Sequence, residues 1–174
     1  MKKEEEIHEM DAIKDAVQRM SIFSAQLYYH LTKQMVDDYG KEAATETIKR
    51  AIREFGLERG SNIRQKCLDA GVEPTIHNLH PNYDILITEG WSPESKQRKS
   101  IIVENENDVI EDGCTKNCIF ADYWMSRDWA DIGYLYCAAD DAIREAYNPD
   151  ILYVPEKNII KGDDSCTAVS SYKK

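Results

Sequence analysis

Residues 120–172 read FADYWMSRDWADIGYLYCAADDAIREAYNPDILYVPEKNIIKGDDSCTAVSSY, and this stretch decides the fold. Met125, Trp129, Ile132, Tyr136, Ala139 and Ile143 recur at steps of four and three, the period of one apolar helix face. The spacing predicts a single long helix over 120–147. Asn148-Pro149 stops it, because the residue before a proline is pushed out of the helical region. Ile151–Pro155 and Thr167–Tyr172 then read as two closing strands, with Lys161-Gly162-Asp163-Asp164 as the turn between them.

Upstream, Lys99–Val103 and Asp108–Glu111 read as a hairpin around Glu104–Asn107, or as one bulged strand. Residues 72–100 carry Pro74, Pro81, Pro93 and Gly90 and read as loop with one short element near Tyr83–Thr88. His77-x-x-His80 falls in this loop and reads as a pair of solvated histidines rather than a metal pair. Residues 42–70 predict a helix with the stripe Ile48, Ile52, Phe55, Arg59, Ile63, Cys67, ended by Gly71. Arg59 stands where an apolar residue belongs. Either its stem packs while its head reaches water, or its guanidinium is aimed at a carboxylate. Residues 5–38 hold neither Gly nor Pro, and Met10, Ile13, Val17, Met20, Ser24, Leu27, Leu31 and Met35 form one stripe. This is one helix, or two broken near Ser21, stopped by Gly40. Helices first, then hairpin, long helix and hairpin give an α+β fold, with the N-terminal helices and one long helix packed on an antiparallel sheet. The expected organisation is an N-terminal helical segment over 1–38, packed on or extending from one α+β domain over 39–174.

The chain has 174 residues, enough for one real core. Its formal charge of −10 argues against nonspecific nucleic-acid binding and against docking on an anionic membrane. No stretch approaches a membrane span, and the start Met1-Lys-Lys-Glu-Glu-Glu lacks the apolar core of a secretory signal, so a cytoplasmic location is expected. The five cysteines, 67, 114, 118, 137 and 166, are an odd number in a compartment expected to be reducing, which favours thiol chemistry or metal binding over disulfides.

On the 120–147 helix, Tyr134, Cys137 and Asp141 fall on one side next to the core stripe, with Asp140 on its other flank. A thiol, a phenol and carboxylates on one half-buried face can be a site. The same pattern also fits a small core cysteine beside two solvated aspartates. Cys118 lies just before the helix start, where backbone N–H groups favour a thiolate, and reads as the most readily activated thiol. Cys114-x-x-x-Cys118 is a loose version of a zinc knuckle. If the last hairpin folds over the helix, Cys118, Cys137 and Cys166 meet, either as a zinc site or as a nucleophile among thiols. There is no dinucleotide fingerprint, phosphate loop, nucleophile elbow or His-Glu-x-x-His.

The run Ile132-Gly-Tyr-Leu-Tyr-Cys137-Ala-Ala-Asp140-Asp141, then Tyr147-Asn148-Pro149, then Gly162-Asp163-Asp164-Ser-Cys166 resembles the L-2-amino-thiazoline-4-carboxylic acid hydrolase family. Cys118-Ile-Phe-Ala-Asp122-Tyr-Trp124 and Arg59-Gly60 fit the same picture, which covers roughly residues 40–172. The closing Gly-Asp-x-x-Cys element is also similar to the end of four-vinyl reductase ligand-binding domains. Ile119 and Ala168 depart from the family pattern, at packing positions. The resemblance implies a hydrolase that opens a small cyclic amidine or thiazoline ring at C–S or C–N, as 2-amino-thiazoline-4-carboxylate to N-carbamoyl-cysteine. Cys137, Cys118, Asp140, Asp141 and Tyr134 are then the expected catalytic residues. Arg59, Arg64 and Asp163 are expected to bind substrate. Attack comes from a cysteine thiolate or from water on a metal, zinc held by Cys118, Cys137 and Cys166. The rival readings are a non-catalytic small-ligand or zinc sensor on the same fold, and an interaction module. The N-terminal stripe is nearly heptad-like, which suits a homodimer through that helix.

Overall fold

A computed structural model describes residues 2–83, 111–115 and 118–173, with residues 2–14 and 111–115 as backbone. The N-terminal helix α1 runs unbroken over Lys2–Tyr39, so there is no division at Ser21, and Gly40 (φ +79°) turns the chain into α2, Lys41–Asp69. A short helix α3, Ile76–Leu79, and a 3-10 turn, His80–Asn82, follow. Strand β1 is Glu111–Thr115 and helix α4 is Ile119–Met125. Helix α5 is Ala130–Gly133, continued by a 3-10 segment, Tyr134–Ala138, and by α6, Ala139–Tyr147. Strand β2 is Ile151–Lys157, and β3 is Cys166–Tyr172. The sheet is antiparallel in the order β1-β3-β2, with Gly113 opposite Ala168 and Tyr153 opposite Ser170. The fold is α+β.

The closing strands stand where their composition places them. Pro155 lies in β2, a strand paired on one side only among the described residues, and the register slips between Pro155 and Lys157, where a missing N–H is tolerated. Gly162, at φ +97°, supplies the left-handed turn.

The single long helix over 120–147 is not formed. Ser126, Arg127 and Asp128 break it, with Asp128 at φ +54°. The cause is tertiary. On a continuous helix Trp124 and Trp129, five residues apart, point about 140° apart. The break lets both face α1: the Trp124 indole donates to the Ala25 carbonyl (3.0 Å) and the Trp129 indole to Thr32 Oγ1 (3.0 Å).

Helix α6 is packed between α2 and the sheet. Ile63 and Cys67 of α2, Ile76 and Leu79 of α3, Ile143 and Tyr147 of α6 and Ile151 of β2 form one core cluster. The stripe expected on α2 is corrected at its middle. Phe55 is exposed, and Gly56 and Gly60 carry the contact with α6. A Cβ on Gly60 would stand 2.2 Å from the Ile143 carbonyl oxygen, and one on Gly56 2.6 Å from Ala142 Cβ. On α1 the buried positions are Ser21, Ala25 and Thr32, whereas Met20, Leu27 and Leu31 of the expected stripe are exposed. The stretch read as loop after Gly71 contains α3, tied down by Tyr147 Oη donating to the Thr75 carbonyl (3.0 Å) and by Ile76 N–H donating to Tyr172 Oη (3.1 Å). His77 and His80 therefore sit on helical turns; His77 is exposed and His80 stacks on Tyr83. The expected element near Tyr83–Thr88 and hairpin over 99–111 lie outside the described residues, apart from Tyr83 and Glu111.

Candidate functional site

The loop between β2 and β3 is built from its own polar groups. Asp163 Oδ2 accepts from the Asn158 N–H (2.7 Å), and Cys166 Sγ accepts from the Ile159 N–H (3.3 Å). Asn158 Oδ1 caps the Ile160 N–H (2.9 Å). That leaves the Asn158 amide aimed across at the helical layer, where it donates to Cys137 Sγ (3.5 Å). The Gly162-Asp163-Asp164-Ser165-Cys166 element thus fixes Asn158, and Asn158 fixes Cys137. Asp163 itself is exposed and occupied by the turn.

Across from this loop the 3-10 segment sets the register. At about 120° per residue, side chains three apart eclipse. Cys137 therefore lines up with Tyr134 before it and with Asp140 after it, and Asp140 lies within electrostatic reach of its thiol. Asp141, expected beside Cys137, is exposed on α6. Tyr134 is half-buried, with Lys161 Nζ 4.0 Å over its ring. Cys118 caps α4: its Sγ accepts from the Ala121 N–H (3.4 Å). Cys118, Cys137 and Cys166 lie within electrostatic reach of one another.

Burial decides their ionisation. The Cys118 thiol is pushed up to about 12 by desolvation, which outweighs the Ala121 and Phe120 amides. The expectation that the helix start activates Cys118 is overturned: two backbone donors do not replace the lost water. Cys137 is pushed up to about 11, again mainly by burial and further by Asp140, with the Asn158 amide pulling the other way. Both are thiols at neutral pH. Among the described residues no three of His, Cys, Asp and Glu are arranged to hold a metal ion. Zinc on Cys118, Cys137 and Cys166 does not fit this geometry.

Three residues that sequence reasoning missed complete the face. Arg144, one turn after Asp140 and seven residues after Cys137, is buried between α6 and the sheet. Its Nε donates to Ser170 Oγ (3.1 Å) and its Nη1 to the Asp140 carbonyl (2.8 Å). The guanidinium lies 3.9 Å over the Tyr153 ring, and the Asp140 carboxylate is 4.0 Å from Nη1. Burial and Asp140 push the Tyr153 hydroxyl above its usual range. The i, i+3, i+7 spacing of Cys137, Asp140 and Arg144 was a readable signal, whereas Asn158 gave only a turn signal and Tyr153 only a strand signal. Of the expected cations, Arg59 lies over Phe55 (5.4 Å) and Tyr83 (5.5 Å), while Arg64 Nη1 donates to the Tyr147 carbonyl (2.8 Å) at the end of α6.

A thiol, a carboxylate and a guanidinium thus follow one another on one helical run and face a hairpin that supplies an amide and a phenol, in a protein of the α+β class. A sequence profile of the L-2-amino-thiazoline-4-carboxylic acid hydrolase family matches residues 19–169, and the chain belongs to that family. No curated protein and no solved structure matches it. The family is named for hydrolysis of an aminothiazoline carboxylate. Among the described residues no helix is long and apolar enough to cross a membrane.

Proposed function

We propose that this chain hydrolyses a small cyclic amidine of the 2-amino-thiazoline-4-carboxylate type, opening the ring C–S bond with Cys137 as nucleophile. The observation that carries the reading is the alignment of Cys137 with Asp140 on one side and the Asn158 amide, 3.5 Å away, on the other. A thiol raised to about 11 needs a base stronger than a carboxylate. The neutral amidine is such a base. The Cys137 proton passes to the ring nitrogen, and the Asp140 carboxylate holds the amidinium that forms. The thiolate then adds to the carbon between sulfur and nitrogen. The adduct collapses with cleavage of the ring C–S bond, and the ring sulfur leaves as a thiol after taking up a proton. Water attacks the enzyme-bound isothiourea, Cys137 departs as thiol, and N-carbamoyl-cysteine remains. Substrate and water are consumed, and no oxidant or metal enters. Arg59, whose guanidinium lies over the Phe55 and Tyr83 rings, is the cation we assign to the substrate carboxylate.

The test is incubation of the purified chain with 2-amino-thiazoline-4-carboxylate, reading new free thiol and the mass gain of one water. Cys137→Ala and Asp140→Asn are each expected to lower kcat/KM at least about a hundredfold with the fold intact. Turnover by Cys137→Ala at the wild-type rate overturns the nucleophile, and absence of thiol release from the wild type overturns the reaction.

A further inference from the structure

The described part of α1 has two faces, and the fold uses one. Ser21, Ala25 and Thr32 are buried against the body, and Tyr28 donates its hydroxyl to the Ile132 carbonyl (2.7 Å). About 120° round the helix, Met20, Phe23, Leu27 and Leu31 are 42%, 65%, 50% and 58% exposed. Together they leave on the order of 400 Å² of apolar side chain in water, the size of the largest such patch on a typical monomer. We propose that this face is covered by α1 of a second copy of the chain, giving a two-fold dimer.

Three observations select a second copy. In the sequence the apolar period continues upstream through Val17, Ile13 and Met10 in alternating steps of three and four, the mean spacing that self-pairing helices use. Next, area: two such patches face to face cover about 800 Å², and the flanking helix surface they enclose raises this toward the roughly 1,200–2,000 Å² of a stable interface. Last, charge. The chain carries −10, yet beside the patch Asp15 is paired with Arg19 (2.9 Å), Asp37 with Lys33, and Asp38 accepts from Gln34 (2.7 Å). The two ion pairs offset Asp15 and Asp37 within the helix, so like copies can approach here. A chain of net charge −10 is not drawn to an anionic membrane.

Sedimentation equilibrium of the full chain tests this. The expected result is twice the chain mass, with Leu27→Glu plus Leu31→Glu raising the dissociation constant at least about tenfold. Leu152→Glu, at an exposed β2 position, is expected to leave the dimer intact. Leu27→Gln is a milder variant, expected to weaken the dimer in the same direction with unchanged helical circular dichroism. A wild-type chain that stays at single-chain mass up to about 100 μM overturns the proposal. So does a dimer that both α1 variants leave unaltered, or pelleting of a single-mass chain with phosphatidylcholine–phosphatidylserine vesicles. None of these readings depends on the hydrolysis assay.

Discussion

Cys118 and Cys137 show desolvation winning over local donors. The amide at 3.4 Å from Cys118 and the Asn158 side chain at 3.5 Å from Cys137 each favour a thiolate, yet both thiols are raised from 9.0, to about 12 and about 11. A raised thiol ties stability to pH. The folded chain holds these protons while the unfolded chain releases them near 9, so the contribution is whole below pH 9 and is lost as pH rises toward 11–12. Wild-type unfolding free energy is therefore expected to fall above pH 9, by up to about 1.4 kcal/mol per pH unit for each thiol. Cys118→Ala is expected to flatten that slope between pH 9 and 11 in urea titrations. Equal slopes in the two proteins would show that Cys118 ionises as readily folded as unfolded.

At the scale of elements, the α2–α6 contact decides where Cys137, Asp140 and Arg144 stand. Gly56 and Gly60 let the two helices approach until a single Cβ has no room, and the nearest obstacle to Gly60 is backbone. Arg53 pairs with Glu145 at the same crossing (2.7 Å), but both are exposed and add little. Gly60→Ala gains up to about 1 kcal/mol of helix propensity and forces the helices apart, for a net loss of about 1–3 kcal/mol. Denaturant unfolding reads that loss. If the same variant also lowers hydrolysis more than its stability explains, the crossing positions the site. On the opposite side the hairpin loop is as constrained, with Asp163, Cys166 and Asn158 satisfying three successive backbone N–H groups, those of Asn158, Ile159 and Ile160.

For the whole molecule, α1 acts as a strap. Tyr28, Trp124 and Trp129 make three hydrogen bonds between α1 and residues about a hundred positions away. Phe120, Trp124, Tyr136 and Tyr28 pack ring on ring beneath it. Removing residues 1–39 would expose the Trp124 ring to water and take away the Ala25 carbonyl its N–H bonds, a loss of several kcal/mol against the roughly 5–15 kcal/mol that hold a domain folded. A chain of residues 40–174 is expected to lose cooperative thermal unfolding. A sharp melt near the wild-type temperature would show that α1 is an appendage. Tyr28→Phe, which leaves the Ile132 carbonyl with its backbone N–H alone, is expected to cost about 1 kcal/mol.

What the sequence by itself determined was local. The extent of α2, the two closing strands and their left-handed turn at Gly162 follow from period, β-branching and punctuation, each a property of neighbours along the chain. Cys137 and Asp140 could be named because they lie on one short segment. What only the tertiary structure decided was which face turns inward. Ser126-Arg127-Asp128 breaks without Gly or Pro because two indoles must reach one helix, and the 3-10 segment then exchanges Asp141 for Asp140 beside Cys137. Met20, Leu27 and Leu31 of the α1 stripe turned outward because aromatic hydroxyl and indole groups needed partners on the other face, and a buried donor without an acceptor costs more than an exposed leucine.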